Sequence, residues 1–272
     1  MPQSSIRPPD HDPYAPSLSV DGLSVRFNGT EALRDVTFRL PAGQRLAVVG
    51  PNGAGKTTLF NVLVGALRPH AGAVRIFGHG PGGDTCIAYV PQRSRVDWKF
   101  PASAAEVVMM GRIREIGPLR WPARRDWDIV HAALEQVGLS DQARRPIGDL
   151  SGGQQQRVFL AQALAQEAEL ILLDEPFTGL DFPSQEALFS VLDALRAAGV
   201  TELIATHDLN LAGERFDSVM LLNRRLIAFG GPAEVLTRDH LVQAYGGHVH
   251  VLPEGDLLVL TDTCCEGDEG EP

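Results

Sequence analysis

The stretch Gly50-Pro-Asn-Gly-Ala-Gly-Lys-Thr-Thr58 lies between a continuous apolar run, Leu46–Val49, and apolar residues at helical spacing that begin at Leu59. This order predicts a buried strand, a glycine-rich loop and a helix. The glycines permit backbone conformations that turn several N–H groups inward, and the helix adds the positive end of its dipole. We therefore expect the loop to bind phosphate groups. The residues assigned to this site are Gly50, Pro51, Asn52, Gly53, Ala54, Gly55, Lys56, Thr57 and Thr58.

Two side chains at the end of this loop have more specific expected roles. Lys56 is expected to neutralise the β and γ phosphates of a nucleotide, and Thr57 is expected to offer its hydroxyl to Mg²⁺. The loop alone does not define the reaction, because many unrelated ATPases and GTPases carry it.

A carboxylate pair, Asp174 and Glu175, ends the apolar run Leu170–Leu173. Burial of two acids beside an apolar strand is unfavourable unless a cation or a reaction requires them. We expect the two residues to differ in role, with Asp174 holding Mg²⁺ through water.

The segment Ser151-Gly-Gly-Gln154 supports two interpretations. Ser-x-x-Gln is a helix capping box, in which side chains satisfy the first N–H groups of the helix. The two glycines, Gly152 and Gly153, leave the same helix end bare, which favours an anion at its N–H groups. Both interpretations can hold together.

Five motifs occur in one order along the chain and together resemble the ATP-binding cassette superfamily. They are the loop at 50–57, Gln92, Leu150–Gln154, Leu172–Glu175 and His207. The resemblance implies an α/β fold of the P-loop NTPase (RecA-like) type, with an antiparallel β lobe and a helical subdomain. It also implies hydrolysis of ATP between two chains packed head to tail.

The resemblance implies a role for each remaining motif. Glu175 would be the general base that polarises the attacking water. Gln92 would sense both the metal and the γ phosphate, and His207 would hold the γ phosphate and the water. The helix that begins after Ser151 would bind the γ phosphate held by the other chain, and Asp181 would cross the interface between the chains.

An aromatic residue, Phe27, lies upstream of the phosphate loop, where cassettes place a ring against adenine. The alternative is a core strand residue, because Leu23 and Val25 share its face at a period of two. No residue in the sequence is identified that would form hydrogen bonds with the edge of the purine base. ATP is therefore expected, with weak selectivity for the base.

A narrower resemblance is to the ATP-binding subunits of bacterial manganese, zinc and iron importers. It covers about residues 18–252, and its most specific part is Val90-Pro-Gln-Arg-Ser-Arg-Val-Asp-Trp-Lys-Phe-Pro101. It implies three partners: a second copy of the chain, separate membrane permease subunits and, indirectly, an extracytoplasmic substrate-binding protein. The chain would lie on the cytoplasmic face of the cell membrane through the permease. Trp98 and Phe100 are either a docking surface for the permease or ordinary core aromatics.

Other classes remain open at this point. An exporter cassette can also be a separate subunit, and an iron–sulfur assembly ATPase is likewise a single compact cassette, against which only residues 91–101 argue. A metal-binding regulator is a third class, because His248 and His250 would share one face of a strand near Cys264-Cys265. No usual zinc spacing results, which favours an exposed strand and a solvated tail. Gln162 stands where cassettes commonly have arginine.

The composition sets further limits. The length of 272 residues suits one two-lobed α/β domain. The 24 Lys and Arg against 34 Asp and Glu argue against nucleic acid or an anionic lipid surface as the main partner, although a local basic patch is compatible with them. Three cysteines favour a reducing cytoplasm. No signal peptide is found, and no apolar run approaches the roughly 20 residues of a membrane helix.

The predicted organisation has a disordered, proline-rich lead-in at 1–16 and a cassette at 17–252. A helical insertion is expected at about 102–149, and a C-terminal strand with an acidic tail at 253–272. Strands alternate with helices after Ser151, which predicts a parallel sheet with helices on both faces.

Overall fold

The structure, a computed structural model, describes residues 16–27, 29–81, 87–92, 94, 96, 98, 100–246, 249–251 and 258–260. Among these residues, the strands are β1 (Leu18–Phe27), β2 (Thr30–Leu40), β3 (Arg45–Val49), β4 (Ala71–Ile76), β5 (Ile87–Val90), β6 (Leu170–Asp174), β7 (Thr201–Thr206), β8 (Ser218–Asn223), β9 (Arg225–Gly230), β10 (Val249–Val251) and β11 (Leu258–Leu260). The helices are α1 (Lys56–Leu63), α2 (Ala104–Met110), α3 (Ile113–Ile116), α4 (Arg124–Gln136), α5 (Gly152–Ala165), α6 (Phe182–Ala197), α7 (Leu209–Arg215), α8 (Pro232–Val235) and α9 (Arg238–Tyr245).

A six-stranded sheet in the order β5-β6-β7-β3-β8-β9 positions the site. The pairs from β5 to β8 are parallel, and β9 adds an antiparallel edge to β8. The predicted parallel sheet is confirmed. Every residue of β3, β6 and β7 is buried, as expected for parallel strands covered on both faces. Since parallel strands end at one edge, the residues that follow β3, β6 and β7 meet there.

A second, three-stranded sheet has the order β2-β1-β4, and its pairs are antiparallel. It confirms the predicted antiparallel lobe. Apolar residues of β1, such as Leu18 and Val20, share one core with Leu46 and Val48 of β3. The lobe therefore shares a hydrophobic core with the strand that leads into the phosphate loop.

The segment between β5 and β6 is helical. Apolar residues of α2, α4 and α5, such as Val108, Leu134 and Val158, are fully buried in a common core. The side chain of Arg112 is also buried there, and its Nη1 donates to the Ala165 carbonyl oxygen at 2.9 Å. The division of the chain at 17–252 and at 102–149 stays a prediction. Most of the proposed lead-in and tail lies outside the described residues.

The helix after the phosphate loop is shorter than its apolar pattern predicts. The pattern extends through Leu67, but α1 ends at Leu63. Gly65 has a φ of 77°, which is a left-handed conformation that stops helices, and its N–H donates to the Val62 carbonyl oxygen at 3.0 Å. The apolar spacing alone did not reveal this glycine stop.

Candidate active site

The phosphate loop is shaped by close backbone contacts. A Cβ atom added to Gly50 would lie 2.0 Å from the Leu222 carbonyl oxygen, so only glycine fits where the loop leaves β3 beside β8. Gly55 has a φ of 98°, and a Cβ there would lie 2.7 Å from the Ala32 carbonyl oxygen. Glycine at both positions thus allows the loop to curl against two neighbouring strands.

The side chain of Lys56 turns back onto the loop. Its Nζ donates to the carbonyl oxygen of Gly50 at 2.5 Å and to that of Pro51 at 3.2 Å, and the residue is buried. A buried ammonium therefore lies at the concave side of the loop, beside the start of α1. Positive charge and helix dipole coincide at this point, which favours a bound anion.

Three oxygen atoms gather where β6 ends beside α1. The Thr57 hydroxyl donates to Asp174 Oδ2 at 2.9 Å, and the Tyr89 hydroxyl donates to the same oxygen at 3.4 Å. The Asp174 side chain is almost entirely buried. The structure therefore brings together Thr57 and Asp174, two of the three residues that the sequence assigns to Mg²⁺; the third is Gln92.

The carboxylate of Glu175 is held from the adjacent strand. Gln92 Nε2, after β5, donates to Glu175 Oε2 at 2.8 Å, and Thr178 Oγ1 lies 3.5 Å from the same oxygen. Glu175 has a φ of 51°, and its N–H donates to the Ala205 carbonyl oxygen at 3.0 Å. A left-handed non-glycine residue costs about 1 kcal/mol or more and is found most often at functional sites. The strained residue allows both consecutive carboxylates to lie near the phosphate loop.

An open cleft of about 900 Å³ joins these groups. It contains every residue assigned to the phosphate loop, together with Gln92, Glu175 and His207, which follows β7 and is exposed. Sequence reasoning missed the other lining residues, which are Ala32, Asp208, Leu209, Asn210 and Tyr245.

Tyr245 reaches the cleft through a contact that is remote in sequence. Asn223 Nδ2, at the end of β8, donates to the Ala244 carbonyl oxygen at 2.8 Å and fixes the end of α9. The one sequence signal at Tyr245 is the segment Tyr245-Gly-Gly247, which also resembles the importer subunits.

Four predicted elements do not line this cleft: Phe27, Asp174, the segment Ser151–Gln154 and Asp181. Of these, Asp174 is hydrogen-bonded to a lining residue, Thr57. Phe27 is 47% exposed, whereas Leu23 and Val25 are fully buried. The core interpretation of Phe27 is therefore wrong, because the pairing of β1 with β2 shifts register between Val25 and Arg26 and disrupts the simple alternation. Its role against adenine stays a prediction.

The start of α5 is a complete capping box. Ser151 Oγ accepts from the Gln154 N–H at 3.3 Å, and Gln154 Oε1 accepts from the Ser151 N–H at 2.9 Å. Gly153 is buried, and a Cβ there would lie 2.7 Å from Ser184 Oγ. Gly153 therefore also allows α5 to approach α6. The expectation that the two glycines leave the helix end open to an anion stays a prediction.

Asp181 caps α6 beside that contact. Its Oδ1 accepts from the Ser184 N–H at 3.2 Å. Hydrogen bonds from the side chain and backbone of Ser184 hold the pKa of the Asp181 carboxyl below its usual range. Ser151 and Asp181 therefore lie at the starts of two neighbouring helices, α5 and α6. These are the two elements that are predicted to contact a second chain.

The phosphate loop and both carboxylates lie within a stretch of the chain that matches a protein family. Residues 33–178 match the ABC transporter family. The chain belongs to this family. As an ABC transporter ATPase it binds ATP.

Individual ABC transporter proteins give closer matches. The chain is 42% identical to the manganese transport system ATP-binding protein MntB of Bacillus subtilis over 87% of its own length and 95% of that protein. It is 42% identical to the zinc transport system ATP-binding protein TroB of Treponema pallidum, over 88% and 91% of the two chains. A solved metal-chelate type ABC transporter in an inward-facing conformation superposes with a TM-score of 0.76 and 32% identity, covering 85% of this chain and 88% of that one.

The two aromatic residues after Gln92 differ in environment. The Trp98 ring packs edge-on against Phe159 with 5.8 Å between centroids, whereas Phe100 is 53% exposed. Trp98 is therefore a packing residue of this ABC ATPase. Of the two, only Phe100 is exposed enough to contact a partner protein.

No helix in the described part of the chain is long and apolar enough to cross a membrane. Within the same residues, no group of three or more His, Cys, Asp or Glu side chains could hold a metal ion. The side chains of the candidate regulator site, His248, His250, Cys264 and Cys265, lie outside the described residues.

Proposed function

We propose that this ABC transporter ATPase powers the import of a divalent metal ion, manganese, zinc or iron, through a separate membrane permease. The observation that carries the catalytic part is the position of Glu175 beside the phosphate loop, held by Gln92 at 2.8 Å. The cargo rests on the similarity to the manganese and zinc transport proteins. An ATPase of this group would work at the cytoplasmic face of the membrane and depend indirectly on an extracytoplasmic substrate-binding protein.

The reaction assigns a separate task to each group in the cleft. Loop N–H groups and Lys56 bind the β and γ phosphates. A water attacks the γ phosphorus, Glu175 accepts its proton, and the bond from that phosphorus to the bridging oxygen of ADP breaks. His207 lies at the end of β7, where it can hold the γ phosphate and the water.

The residues beside the loop fit Mg²⁺. The cation prefers oxygen ligands, and the structure places the Thr57 hydroxyl 2.9 Å from a buried oxygen of Asp174. Thr57 would hold it directly, Asp174 would hold it through water, and the amide oxygen of Gln92 would complete the protein side. Bound Mg²⁺ would neutralise part of the negative charge on the phosphate groups.

A second copy of the chain would complete the site. Ser151–Gln154 and Asp181 lie outside the cleft of their own chain, on neighbouring helix starts. In a head-to-tail pair, these helix starts of one copy would face the γ phosphate held by the other. ATP would then bridge two chains at two equivalent sites.

Light scattering tests this pairing. Glu175→Gln should retain ATP without hydrolysing it, so the variant should dimerise when ATP and Mg²⁺ are added. Addition of Ser151→Arg should return it to monomers, whereas Ser140→Arg, at another exposed serine, should not. If the Glu175→Gln protein stays monomeric at high concentration, the isolated subunit does not form the shared site.

Metal uptake by cells tests the cargo. Cells that lack this chain should accumulate less radiolabelled manganese, zinc or iron, and the wild-type gene, but not the Glu175→Gln gene, should restore uptake. A rise in cellular metal would instead identify an exporter. Normal uptake with inactive iron–sulfur enzymes would support the cluster-assembly class.

A further inference from the structure

The segment between α2 and α4 presents large apolar side chains to solvent. Leu119 is fully exposed at 104%, Trp121 is 91% exposed and Ile113 is 63% exposed. Exposed apolar residues are normal when they are isolated, but three within nine positions form an apolar surface that calls for a partner. We name residues 113–125 the 113–125 patch.

An ion-pair cluster fixes the base of this patch. Arg112, just before it, and Asp126, just after it, lie 3.6 Å apart from Nε to Oδ1. Arg112 Nη1 also lies 3.0 Å from Glu167 Oε2, and Asp126 Oδ2 accepts from the Ala123 N–H at 2.9 Å. The two ends of the segment are therefore held together.

The backbone also keeps the tip turned outward. Leu119 has a φ of 63°, a left-handed conformation that a leucine rarely adopts. Such a conformation is unfavourable by about 1 kcal/mol or more unless the surrounding structure requires it. A fully exposed apolar side chain thus stands at a position whose backbone conformation leucine rarely adopts.

The charge of the patch is opposite to that of the chain. Residues 113–125 contain four arginines and one glutamate, a formal charge of +3, whereas the whole chain carries −10. Two of the arginines, Arg124 and Arg125, begin α4 and are exposed. A cation at the positive end of a helix is electrostatically unfavourable, so folding does not account for these two residues.

We propose that the 113–125 patch contacts the surface of an anionic lipid bilayer. Tryptophan is enriched at the headgroup level of membranes, arginine pairs with lipid phosphates, and leucine and isoleucine enter the acyl boundary. The apolar side chains of the patch are exposed, and among the described residues they line no part of the cleft, which suits a soft interface better than a groove between proteins. The acidic remainder of the chain would be repelled by the same lipids, so the patch would orient the molecule.

This contact deepens the proposed function, because it rests on an ATPase subunit that works beside a membrane. The acidic composition of the whole chain argues against anionic lipid as its main partner. The basic patch would make a local, secondary contact with such lipid. Lipid binding would direct the helical region towards the membrane that contains the permease.

Flotation of the purified full chain with vesicles tests the proposal. The chain should bind vesicles of equal parts phosphatidylglycerol and phosphatidylcholine, and should not bind pure phosphatidylcholine. Leu119→Ser combined with Trp121→Ser should weaken binding about tenfold or more. Arg120→Gln and Arg125→Gln should each weaken it about fivefold, and added salt should weaken it further.

Matched exposed residues serve as controls. Arg39→Gln and Arg75→Gln, on the antiparallel sheet, and Phe182→Ser, on α6, should leave vesicle binding unchanged. Equal binding to both lipid compositions, or equal loss in these controls, would overturn the proposal. A third outcome would also overturn it: the wild-type chain does not bind vesicles, and the Leu119→Ser/Trp121→Ser chain no longer recovers the permease. The patch would then be a protein contact.

Hydrolysis of ATP in solution separates this inference from the proposed function. The patch lies outside the cleft, so its variants should hydrolyse ATP at the wild-type rate. A chain that hydrolyses ATP but ignores anionic vesicles contradicts only the lipid contact. A chain that binds anionic vesicles but hydrolyses no ATP contradicts only the proposed catalytic role.

Discussion

Gln92 Nε2 donates a hydrogen bond to Glu175 Oε2 at 2.8 Å, which joins the residue after β5 to the second carboxylate after β6. The two strands are parallel neighbours, so both side chains stand at the same edge of the sheet. Eight residues after Gln92, the exposed Phe100 lies on the surface. A partner that contacts Phe100 would therefore lie eight residues along the chain from the glutamine that holds this carboxylate.

Replacement of Lys56 by alanine should weaken ATP binding about 10- to 100-fold, because a charged hydrogen-bond donor to phosphate is lost. Nucleotide titration by calorimetry or fluorescence measures the change. Arg68→Ala, which removes an exposed cation beyond α1, should bind ATP as the wild type does. Equal affinity in Lys56→Ala and wild type would show that the loop has been assigned incorrectly.

Replacement of Gly153 by alanine should destabilise the fold by roughly 1–3 kcal/mol, because the new methyl group would meet Ser184 Oγ at 2.7 Å. Urea unfolding gives the free energy. Ser184→Gly in the same chain should recover part of the loss, since both close atoms belong to that side chain. Gly80→Ala, where nothing lies within 4 Å, should be nearly neutral, and full additivity of the Gly153 and Ser184 changes would reject the contact.

Trp98→Ala and Phe100→Ala should differ in effect. The first removes a ring packed against Phe159 and should lower the free energy of unfolding by about 2 kcal/mol. The second removes an exposed ring and should change it by no more than about 0.5 kcal/mol, while it weakens recovery of the permease. Denaturant unfolding and co-purification measure the two effects, and an equal loss of stability would place Phe100 in the core.

A buried acid on β7 should make stability depend on pH. Burial raises the pKa of Glu202 from 4.5 to about 7, although Arg45 Nε donates to its Oε2 at 2.5 Å and opposes the shift. The folded state therefore binds a proton more tightly than the unfolded state. The resulting stability is fully present below about pH 4.5 and is lost as the pH rises through 7.

Replacement of this acid by glutamine should remove the dependence. Between pH 5 and pH 8, the free energy of unfolding of the wild type should fall by about 2 kcal/mol more than that of Glu202→Gln. The exposed Glu214→Gln serves as a control and should follow the wild type. Parallel pH curves for wild type and Glu202→Gln would show that the acid is already ionised throughout this range.

The edge of the sheet that carries the site could be predicted from sequence because its strands are continuous apolar runs. Leu46–Val49 and Leu170–Leu173 each lead directly into the residues that gather in the structure, at Gly50 and at Asp174. A run of this kind fixes a buried parallel strand, and parallel strands end together. The convergence of loop and carboxylates follows from these two facts.

Contacts between distant segments could not be predicted in the same way. Tyr245 lines the cleft from the end of α9, which Asn223 holds by a hydrogen bond that no local pattern records. The contact of Gly153 with Ser184 depends on how closely two helices approach, and the capping-box pattern gives no information on that distance. Phe27 kept the strand period in sequence, but a register shift placed it at the surface.

The most direct test of the account is the rate of ATP hydrolysis by purified Glu175→Gln, measured beside its affinity for ATP. The substitution keeps the shape of the side chain and an oxygen that can accept from Gln92, but it removes the base. The account predicts a rate about 10²- to 10⁴-fold below wild type with ATP affinity unchanged, because Lys56, Thr57 and Asp174 are intact. A variant that hydrolyses ATP at the wild-type rate would contradict the assignment of Glu175 as the general base.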